Sequence, residues 1–277
     1  MNKTIEEKLA GSLTAETTDL LPYLPYLLQD FWELGSDPDV MAELIRKHLT
    51  LSPDKRVLDL ACGKGAVSVT VAEKLQVKVT GIDLIPEFIA YAISKAQEHG
   101  VADLCSFEVR DINASVETAR EFDVVIMGAA GDALGSPAKT LQKLKQTVKT
   151  GGYIMIDEAY LKDGSAQEDM AYNNYDYLTQ KQWADLFAEH GLELVETVFA
   201  GDEVFENTDS SADMAAITRR AKELIEKHPD KKAMFEGYIR SQQSEYDDID
   251  TRLEAVVWML RKQSPSPNTQ ESCPLPA

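Results

Sequence analysis

The 277-residue sequence has few cysteines, no long apolar run and a shortage of basic residues relative to acids. Its three cysteines, Cys62, Cys105 and Cys273, give neither a disulfide framework nor a metal-ligand spacing. Cys62 and Cys105 fall within or beside predicted strands, so we interpret both as buried thiols. No apolar stretch is long enough to cross a bilayer, and residues 1–7 carry acids where a signal peptide would be apolar. We therefore expect a cytoplasmic protein with no membrane partner.

The shortage of basic residues bears on the partners of the protein. The chain has 28 Lys and Arg against 47 Asp and Glu, which gives a formal net charge of −19. Such a surface opposes long-range attraction to the phosphates of DNA or RNA. Basic residues do cluster over 219–227, but Glu223 and Glu226 are interleaved with them at helical spacings, which is typical of a solvated helix face. Nucleic acid is therefore a disfavoured partner.

What the sequence does contain is an apolar run that ends abruptly in small residues, from Val57 to Gly65, followed by a helical pattern. This order predicts a buried strand, a tight turn and a helix start. In open α/β sheets such a junction forms a ligand crevice. A Gly-rich turn made only for packing would look the same.

A second strand, Val77 to Ile82, is followed directly by Asp83. A carboxylate at that place can accept hydrogen bonds from both ribose hydroxyls of a nucleoside that lies across the first turn. Two phosphate-binding motifs fit poorly, however. The dinucleotide pattern would need glycine where the chain has Ser68, and a P-loop would need Ser or Thr after Lys64, where the chain has Gly65.

The spacing of Asp59, Ala61, Gly63 and Gly65 resembles the first motif of class I S-adenosylmethionine-dependent methyltransferases. Four later segments are similar to the next strands of that family, and another is similar to its last strand. The resemblance covers residues 50–200 and 252–262. Its segments, in chain order, are 81–88, 109–112, 122–127, 151–157 and 255–262.

The resemblance implies S-adenosylmethionine as cofactor and S-adenosylhomocysteine as product. It implies that Asp83 holds the ribose, Asp111 the adenine amino group, and that Met127 and Gly128 close the pocket beneath the methyl group. The implied cofactor-binding set is Asp59, Ala61, Cys62, Gly63, Gly65, Asp83, Leu84, Asp111, Ile112, Met127 and Gly128. The family often has an N-capping Ser before the proline of the second helix, where this chain has Ile85, so we expect that cap to be missing. Ile85 or Leu84 could lie against the adenine or be ordinary core residues.

The expected fold class is α/β, with a doubly wound, seven-stranded, mostly parallel sheet of the Rossmann-like methyltransferase type. Helical patterns in the sequence add helices to this core, including a segment between the last two strands, which the family normally connects by a short turn. We predict an N-terminal helical cap over 1–50, a cofactor-binding core over 51–200, a helical insertion over 201–250, the last strand over 251–262 and a disordered tail over 263–277.

Local signals set several helix boundaries. Asp37 should cap a helix that begins at Pro38, and Thr179 should form a capping box with Gln182. Ser136–Pro137 should begin a helix that Gly151–Gly152 ends. The insertion has three interpretations: a cover for the substrate side of the sheet, an element of a homodimer, or plain bulk.

Catalytic residues are harder to assign, and we name none. Methyl transfer from a sulfonium is an in-line displacement, so positioning and water exclusion can supply much of the acceleration. The four histidines are all predicted at helix C-termini, where they interact with the last carbonyls. Acids and a phenol near the ends of strands four and five are better placed, and Asp132 or Tyr160 could orient an acceptor. These residues are Asp132, Asp157, Glu158 and Tyr160. The acid pattern of metal-dependent O-methyltransferases is not reproduced, so no metal is predicted.

Aromatic residues flank the predicted sheet on both sides and could line a pocket, although such residues more often belong to the core. We favour core for Phe31 and leave Tyr26 and Trp32 open. The remaining ones are Tyr23, Tyr172, Tyr175 and Tyr177.

The leading hypothesis is transfer of the methyl group of S-adenosylmethionine to a small-molecule acceptor. The alternatives are a methyltransferase acting on protein or RNA and a non-catalytic nucleotide-binding regulatory protein. A dehydrogenase is a more distant fourth.

Overall fold

The computed structural model describes residues 3–172, 176–199 and 210–264, which contain seven strands and ten α-helices. The strands are β1 (Arg56–Leu60), β2 (Lys78–Asp83), β3 (Cys105–Val109), β4 (Phe122–Gly128), β5 (Val148–Leu161), β6 (Leu192–Phe199) and β7 (Leu253–Lys262). The helices are α1 (Ile5–Ser12), α2 (Leu24–Leu27), α3 (Pro38–His48), α4 (Ala66–Leu75), α5 (Pro86–Glu98), α6 (Ile112–Thr118), α7 (Pro137–Thr147), α8 (Gln180–Glu189), α9 (Ser210–Lys227) and α10 (Lys232–Thr251). Short 3-10 helices cover Thr18–Tyr23, Gln167–Asp169 and Pro229–Lys231.

All seven strands form one sheet in the order β3-β2-β1-β4-β5-β7-β6. β1 to β5 are parallel, whereas β7 runs antiparallel to both β5 and β6. From β1 the chain adds β2 and β3 toward one edge of the sheet, and from β4 it continues toward the other edge. The connections on either side of the β1–β4 boundary diverge, which leaves a crevice at the carboxyl ends of these two strands. The predicted fold class, a doubly wound and mostly parallel seven-stranded sheet, is confirmed.

The central strands read as near-continuous apolar runs because both faces of the sheet are covered by helices. On one face, α3 and α4 pack on alternate residues of β1 and β4, such as Val57 and Val124. On the other face, α6, α7 and α8 cover Leu58, Val125 and Trp258. The Trp258 ring is 2% exposed and lies 5.1 Å from the Trp183 ring of α8.

A third hydrophobic cluster joins the two ends of the chain. It is formed by α1, the Thr18–Tyr23 turn, α2, α9 and α10, which together we call the helical cap. Phe235 of α10 is completely buried there, and its ring meets the Tyr23 ring edge-on at 5.1 Å. Ile85 and Phe88, at the start of α5, belong to the same cluster. The cap therefore packs on the sheet domain next to the end of β2.

Most local boundaries agree with the predictions, and one was wrong. Asp37 caps α3, Thr179 and Gln182 form the capping box of α8, and Ile85 makes no side-chain cap. However, α7 ends at Thr147 and not at Gly151–Gly152. The segment Val148–Thr150 is rich in β-branched residues and already pairs as β5, which therefore contains both glycines.

Several predictions lie outside the described residues. These are the tail from residue 265 onward with Cys273, the first part of the insertion over 201–209, and the aromatic residue Tyr175. Among the helices that are described, none combines the length and apolarity required to span a membrane.

The burial of Phe235 leads to a stability prediction. Replacing Phe235 with Ala should lower the free energy of unfolding by about 3–5 kcal/mol, because a large buried ring is lost and a cavity is left. Denaturant unfolding measures this change. Ile93 on α5 is 43% exposed and provides the control; Ile93→Ala should change stability by no more than about 0.5 kcal/mol. Equal stabilities of the two variants would contradict the assignment of Phe235 to a packed core.

Candidate functional site

The loop between β1 and α4, residues 61–65, follows a backbone path that few residues accept. Ala61, Gly63 and Gly65 have φ angles of 59°, 52° and 78°, in the left-handed region. A Cβ atom added at Gly65 would lie 2.6 Å from the Cβ of Ala92 on α5. The loop therefore bends sharply and packs tightly, as the small residues of the first motif predict.

The carboxylate of Asp83 joins this loop to the end of β2. Its Oδ2 accepts a hydrogen bond from the Gly63 backbone N–H at 2.9 Å, and its Oδ1 accepts one from the Ile85 N–H at 2.9 Å. The second bond serves the helix start that the Ile85 side chain leaves uncapped. Burial raises the pKa of Asp83, and these backbone hydrogen bonds oppose the rise.

Asp59, the first acid of the motif, is anchored to α4. It is 3% exposed, and its Oδ2 accepts a hydrogen bond from the Ser68 hydroxyl at 2.6 Å. Burial raises the pKa of Asp59 to about 7; the Ser68 hydrogen bond lowers it, while the nearby Asp83 charge raises it further. Ser68 is the residue that excluded the dinucleotide motif, and the structure gives it a role as the partner of this acid.

The other predicted cofactor residues lie at the carboxyl ends of four neighbouring strands, β3, β2, β1 and β4. Asp111 caps α6 with Oδ1, which accepts from the Asn113 N–H at 2.8 Å. Ile112 is buried beside it, Leu84 is half-buried after β2, and Met127 and Gly128 end β4. Cys62 is 9% exposed, and burial raises the pKa of its thiol. The structure thus brings the eleven predicted residues to one edge of the sheet.

Lys64, in the middle of the loop, has a role that sequence reasoning missed. It is 4% exposed, and its Nζ donates hydrogen bonds to the backbone carbonyls of Leu28 and Phe31. The ammonium also stands 5.1 Å from the centre of the Tyr91 ring. Burial lowers the pKa of Lys64 to about 8, and the Asp30 charge partly opposes this. A lysine between two glycines carries no sequence signal for such burial.

The segment between α2 and α3, which lies within the predicted N-terminal cap, covers the crevice; the contacts of Leu34 and Ser36 there were not predicted. The Trp32 indole N–H donates to the Lys64 carbonyl at 3.2 Å. Leu34 lies over Gly63, where a Cβ atom would be 3.2 Å from its Cδ1. The Ser36 hydroxyl leaves no room for a side chain at Gly128, since it would lie 2.1 Å from a Cβ there.

The predicted aromatic residues separate into groups. Trp32 contacts the glycine-rich loop, whereas Phe31 packs against the cap cluster as favoured. Tyr26 donates to Glu223 of α9 at 2.5 Å, and Tyr23 packs on Phe235. Two buried tyrosines, Tyr172 and Tyr177, follow β5.

A cavity of about 770 Å³ opens beside the end of β4. Met127 lines it together with residues 156–159 of β5, residues 176–178 and Trp183. Its remaining walls come from the β4–α7 loop, the first turns of α7 and the N-terminal residues Lys3 and Lys8. Its volume is in the range of small-ligand sites.

Three of the four predicted polar candidates line this cavity: Asp132, Asp157 and Glu158. Burial raises the pKa of Asp157 to about 6 and that of Glu158 to about 7, and the neighbouring acids add to the rise for Glu158. Asp132 forms a salt bridge with Lys3 at 3.0 Å. Tyr160 lies elsewhere, because its ring stacks on Trp258 at 6.2 Å.

The four histidines occupy helix ends, as predicted. His48 is the last residue of α3, His99 and His190 are the C-caps of α5 and α8, and His228 follows α9. Each contacts a carboxylate, a carbonyl or an aromatic ring close to that helix end.

Comparisons with known proteins agree with this geometry. A family model described as a methyltransferase domain matches residues 51–236. The uncharacterized protein YjhP of Escherichia coli is 30% identical over 168 residues, which cover 59% of this chain and 67% of that protein. A phosphoethanolamine N-methyltransferase of Triticum aestivum is 26% identical over 205 residues, which cover 73% of this chain but only 38% of the wheat protein.

Among solved structures, a methyltransferase of Geobacter sulfurreducens in complex with S-adenosyl-L-homocysteine is similar, with a TM-score of 0.71 and 25% identity. The match covers 87% of this chain and 98% of that one. Sheet order, loop and acid together define the class I methyltransferase architecture. The chain belongs to the methyltransferase-domain family, and the predicted resemblance, enzyme class and cofactor are confirmed at that level.

The environment of Asp59 leads to a prediction on pH. Between pH 3.8, the ordinary pKa of an aspartate, and about 7, the folded protein retains a proton that the unfolded chain releases. The contribution of Asp59 to the free energy of unfolding therefore decreases as pH rises through this interval. Asp59→Asn removes this contribution and keeps an acceptor for Ser68.

Denaturant unfolding at pH 4.5 and 7.5 should show that Asp59→Asn gains stability relative to the wild type as pH rises. The exposed Asp103 provides the control, and Asp103→Asn should follow the wild type. If both variants have the wild-type pH dependence, Asp59 is not a buried titrating group.

Proposed function

We propose that the crevice at the carboxyl ends of β1, β2 and β4 binds S-adenosylmethionine and that the enzyme methylates a small molecule. The observation that carries this proposal is the Asp83 carboxylate, which holds the glycine-rich loop through Gly63 at 2.9 Å. This contact joins one acid to the glycine-rich loop backbone, where the two halves of an adenosyl ligand would lie.

The residues present fit an adenosyl sulfonium better than a pyrophosphate. The Lys64 ammonium, the cation of the loop, is already bound to the Leu28 and Phe31 carbonyls. Buried carboxylates at Asp59 and Asp83 favour a positive ligand and disfavour phosphate.

Each predicted residue has a place in this proposal. Asp83 has acceptor capacity left for the ribose hydroxyls, since a carboxylate can accept about four hydrogen bonds. Oδ2 of Asp111 would accept from the adenine amino group, with Leu84 and Ile112 against the ring. The loop residues 59–65 would shape the methionine end, and Met127 and Gly128 would lie beneath the methyl group.

When bound, the cofactor supplies a methyl group on a sulfonium, whose leaving group is a neutral thioether. The protein contributes orientation and the exclusion of water. Trp32, Leu34 and Ser36 cover the loop and the end of β4, so the crevice is closed on the side of the cap.

The acceptor side supports a small molecule. The cavity beside Met127 has about 770 Å³, a volume in the range of small-ligand sites. The wheat relative is named for a small acceptor, phosphoethanolamine. The net charge of −19 argues against RNA.

The ribose assignment can be tested by calorimetry. Asp83→Ala should weaken S-adenosylmethionine binding at least about tenfold, because hydrogen bonds to a charged group contribute about 1.5–3 kcal/mol. Isothermal titration measures the affinity, with Asp103→Ala as the control and circular dichroism to verify folding. Wild-type affinity in a folded Asp83→Ala protein would refute the assignment.

The size of the acceptor can be tested with the wild-type protein. S-adenosylmethionine labelled on its methyl group is incubated with a cell extract that has been separated into small and large molecules. We expect enzyme-dependent label in the small-molecule fraction. Label found only in protein or RNA would favour a macromolecular acceptor, and no label in either fraction would favour a non-catalytic binding protein.

A further inference from the structure

The cavity beside β4 is lined by cations and by acids. Its cations include Lys8 of α1 and Lys139 and Lys143 of α7, and its acids are Asp132, Asp157, Glu158 and Asp176. Apolar side chains, among them Met127, also line it. A cavity of this kind selects a ligand whose own charges are separated.

The three lysines lie close enough to influence one another. Burial lowers the pKa of Lys143; the charges of Lys8 and Lys139 lower it further, while those of Glu117 and Asp111 oppose the shift. Lys143 Nζ donates to Asn113 Oδ1 and to the Leu134 carbonyl, both at 2.8 Å, which holds it against the β4–α7 loop. Lys8 Nζ lies 3.4 Å from the Ala133 carbonyl.

None of these lysines forms a salt bridge with a carboxylate of residues 3–172, 176–199 or 210–264. This is unexpected in a chain with 47 acids and 28 basic residues. Three ammonium groups that line one cavity and form no such salt bridge favour an anion near them.

The start of α7 adds to the positive potential. Ser136 makes no side-chain cap, the first turn contains no acid, and the following residue is Pro137. The next backbone N–H groups of α7 therefore lack a side-chain acceptor, which favours an anion at this helix end.

Glu158 provides a negative charge in the same cavity. Its carboxylate accepts from the Ala159 N–H at 3.1 Å, and the acids Asp157, Glu245 and Asp132 are near enough to raise its pKa. Trp183, a further lining residue, is 4% exposed, and no residue that the structure describes accepts a hydrogen bond from its indole N–H. A buried donor without a partner is rare in native proteins, and a ligand oxygen would satisfy it.

We propose that the methyl acceptor is a small amphoteric molecule whose phosphate or carboxylate lies among Lys8, Lys139 and Lys143 and whose amine lies at Glu158. This inference rests on the proposed function, since it names the class of acceptor. Glu158 takes a proton from the ammonium: the N–H bond breaks, an O–H bond forms, and the lone pair returns to nitrogen. The lysines hold the other end and fix which atom faces the end of β4.

The test measures binding and not turnover. The protein is saturated with S-adenosylhomocysteine and titrated with O-phosphoethanolamine, β-alanine, ethanolamine and inorganic phosphate. We expect O-phosphoethanolamine or β-alanine to bind at least tenfold more tightly than ethanolamine. The stronger of the two distinguishes a phosphate from a carboxylate, and inorganic phosphate should compete with it.

Matched variants locate the two ends. Lys139 is exposed, so the Lys139→Met variant should fold normally. It should bind the anionic probes at least about threefold more weakly than the wild type does. Lys181→Met is the control, because Lys181 is exposed on α8 and pairs with Asp185 at 2.6 Å. Glu158→Gln should lower the affinity for the probes that carry an amine but leave the affinity for inorganic phosphate unchanged.

Three results would overturn the proposal: ethanolamine binding as tightly as the probes that carry a phosphate or carboxylate, wild-type affinity in Lys139→Met, or no binding of any probe to a protein that binds S-adenosylhomocysteine. Failure of the wild type to bind S-adenosylhomocysteine at all would instead refute the proposed function.

Discussion

The buried ammonium of Lys64 connects the parts of this protein on which its site depends. Burying the charge of a lysine is costly unless that charge is compensated. Here two backbone carbonyls of the segment that follows α2 and the face of the Tyr91 ring provide the compensation. The Trp32 indole binds the carbonyl of the same lysine, so the loop and the segment that follows α2 hold each other from both sides. The position of the cap over the crevice and the path of the loop are therefore not independent.

The electrostatic character of the interior is equally unusual. Asp59, Asp83, Asp157 and Glu158 all have raised pKa values because they are buried, and the first two flank the glycine-rich loop. Such an environment stabilises a cation when one arrives, and it makes an anionic ligand unfavourable at the same place. The lysines of α1 and α7 lie on another part of the molecule, toward the cavity. The loop is thus flanked by two acids, whereas the cavity at the start of α7 is lined by lysines and acids together.

Much of the fold could be predicted because the features that set it are local. Apolar runs ended by small residues or acids mark β1, β2 and β4, and capping residues mark α3 and α8. The predicted end of α7 at Gly151–Gly152 was wrong because Val148 and Thr150 favour a strand, which begins three residues before those glycines. The cofactor residues followed from one family resemblance and remain predictions as individual contacts.

The rest of the site could not be predicted, since it is made by contacts between segments that are distant in sequence. Leu34 and Ser36 belong to no sequence motif. They matter only because the segment between α2 and α3 places them over Gly63 and Gly128. Lys8 and Lys143 come together from opposite ends of the N-terminal half. Residue spacing gives no information on such pairs, whereas sheet order and packing determine them.

The composition of the cap has a consequence for how the chain is made. Its contacts join residues that are 197 and 231 positions apart in the sequence: the Tyr26 hydroxyl donates to Glu223, and the Thr14 hydroxyl donates to Glu245. During synthesis the first three strands and their helices emerge long before α9 and α10. The early apolar helices of the cap therefore stay uncovered until α9 and α10 have been made, and closing so long a loop has an entropic cost. Truncation after β6 would remove α9 and α10 from the cap and also β7, the strand that joins β6 to the rest of the sheet.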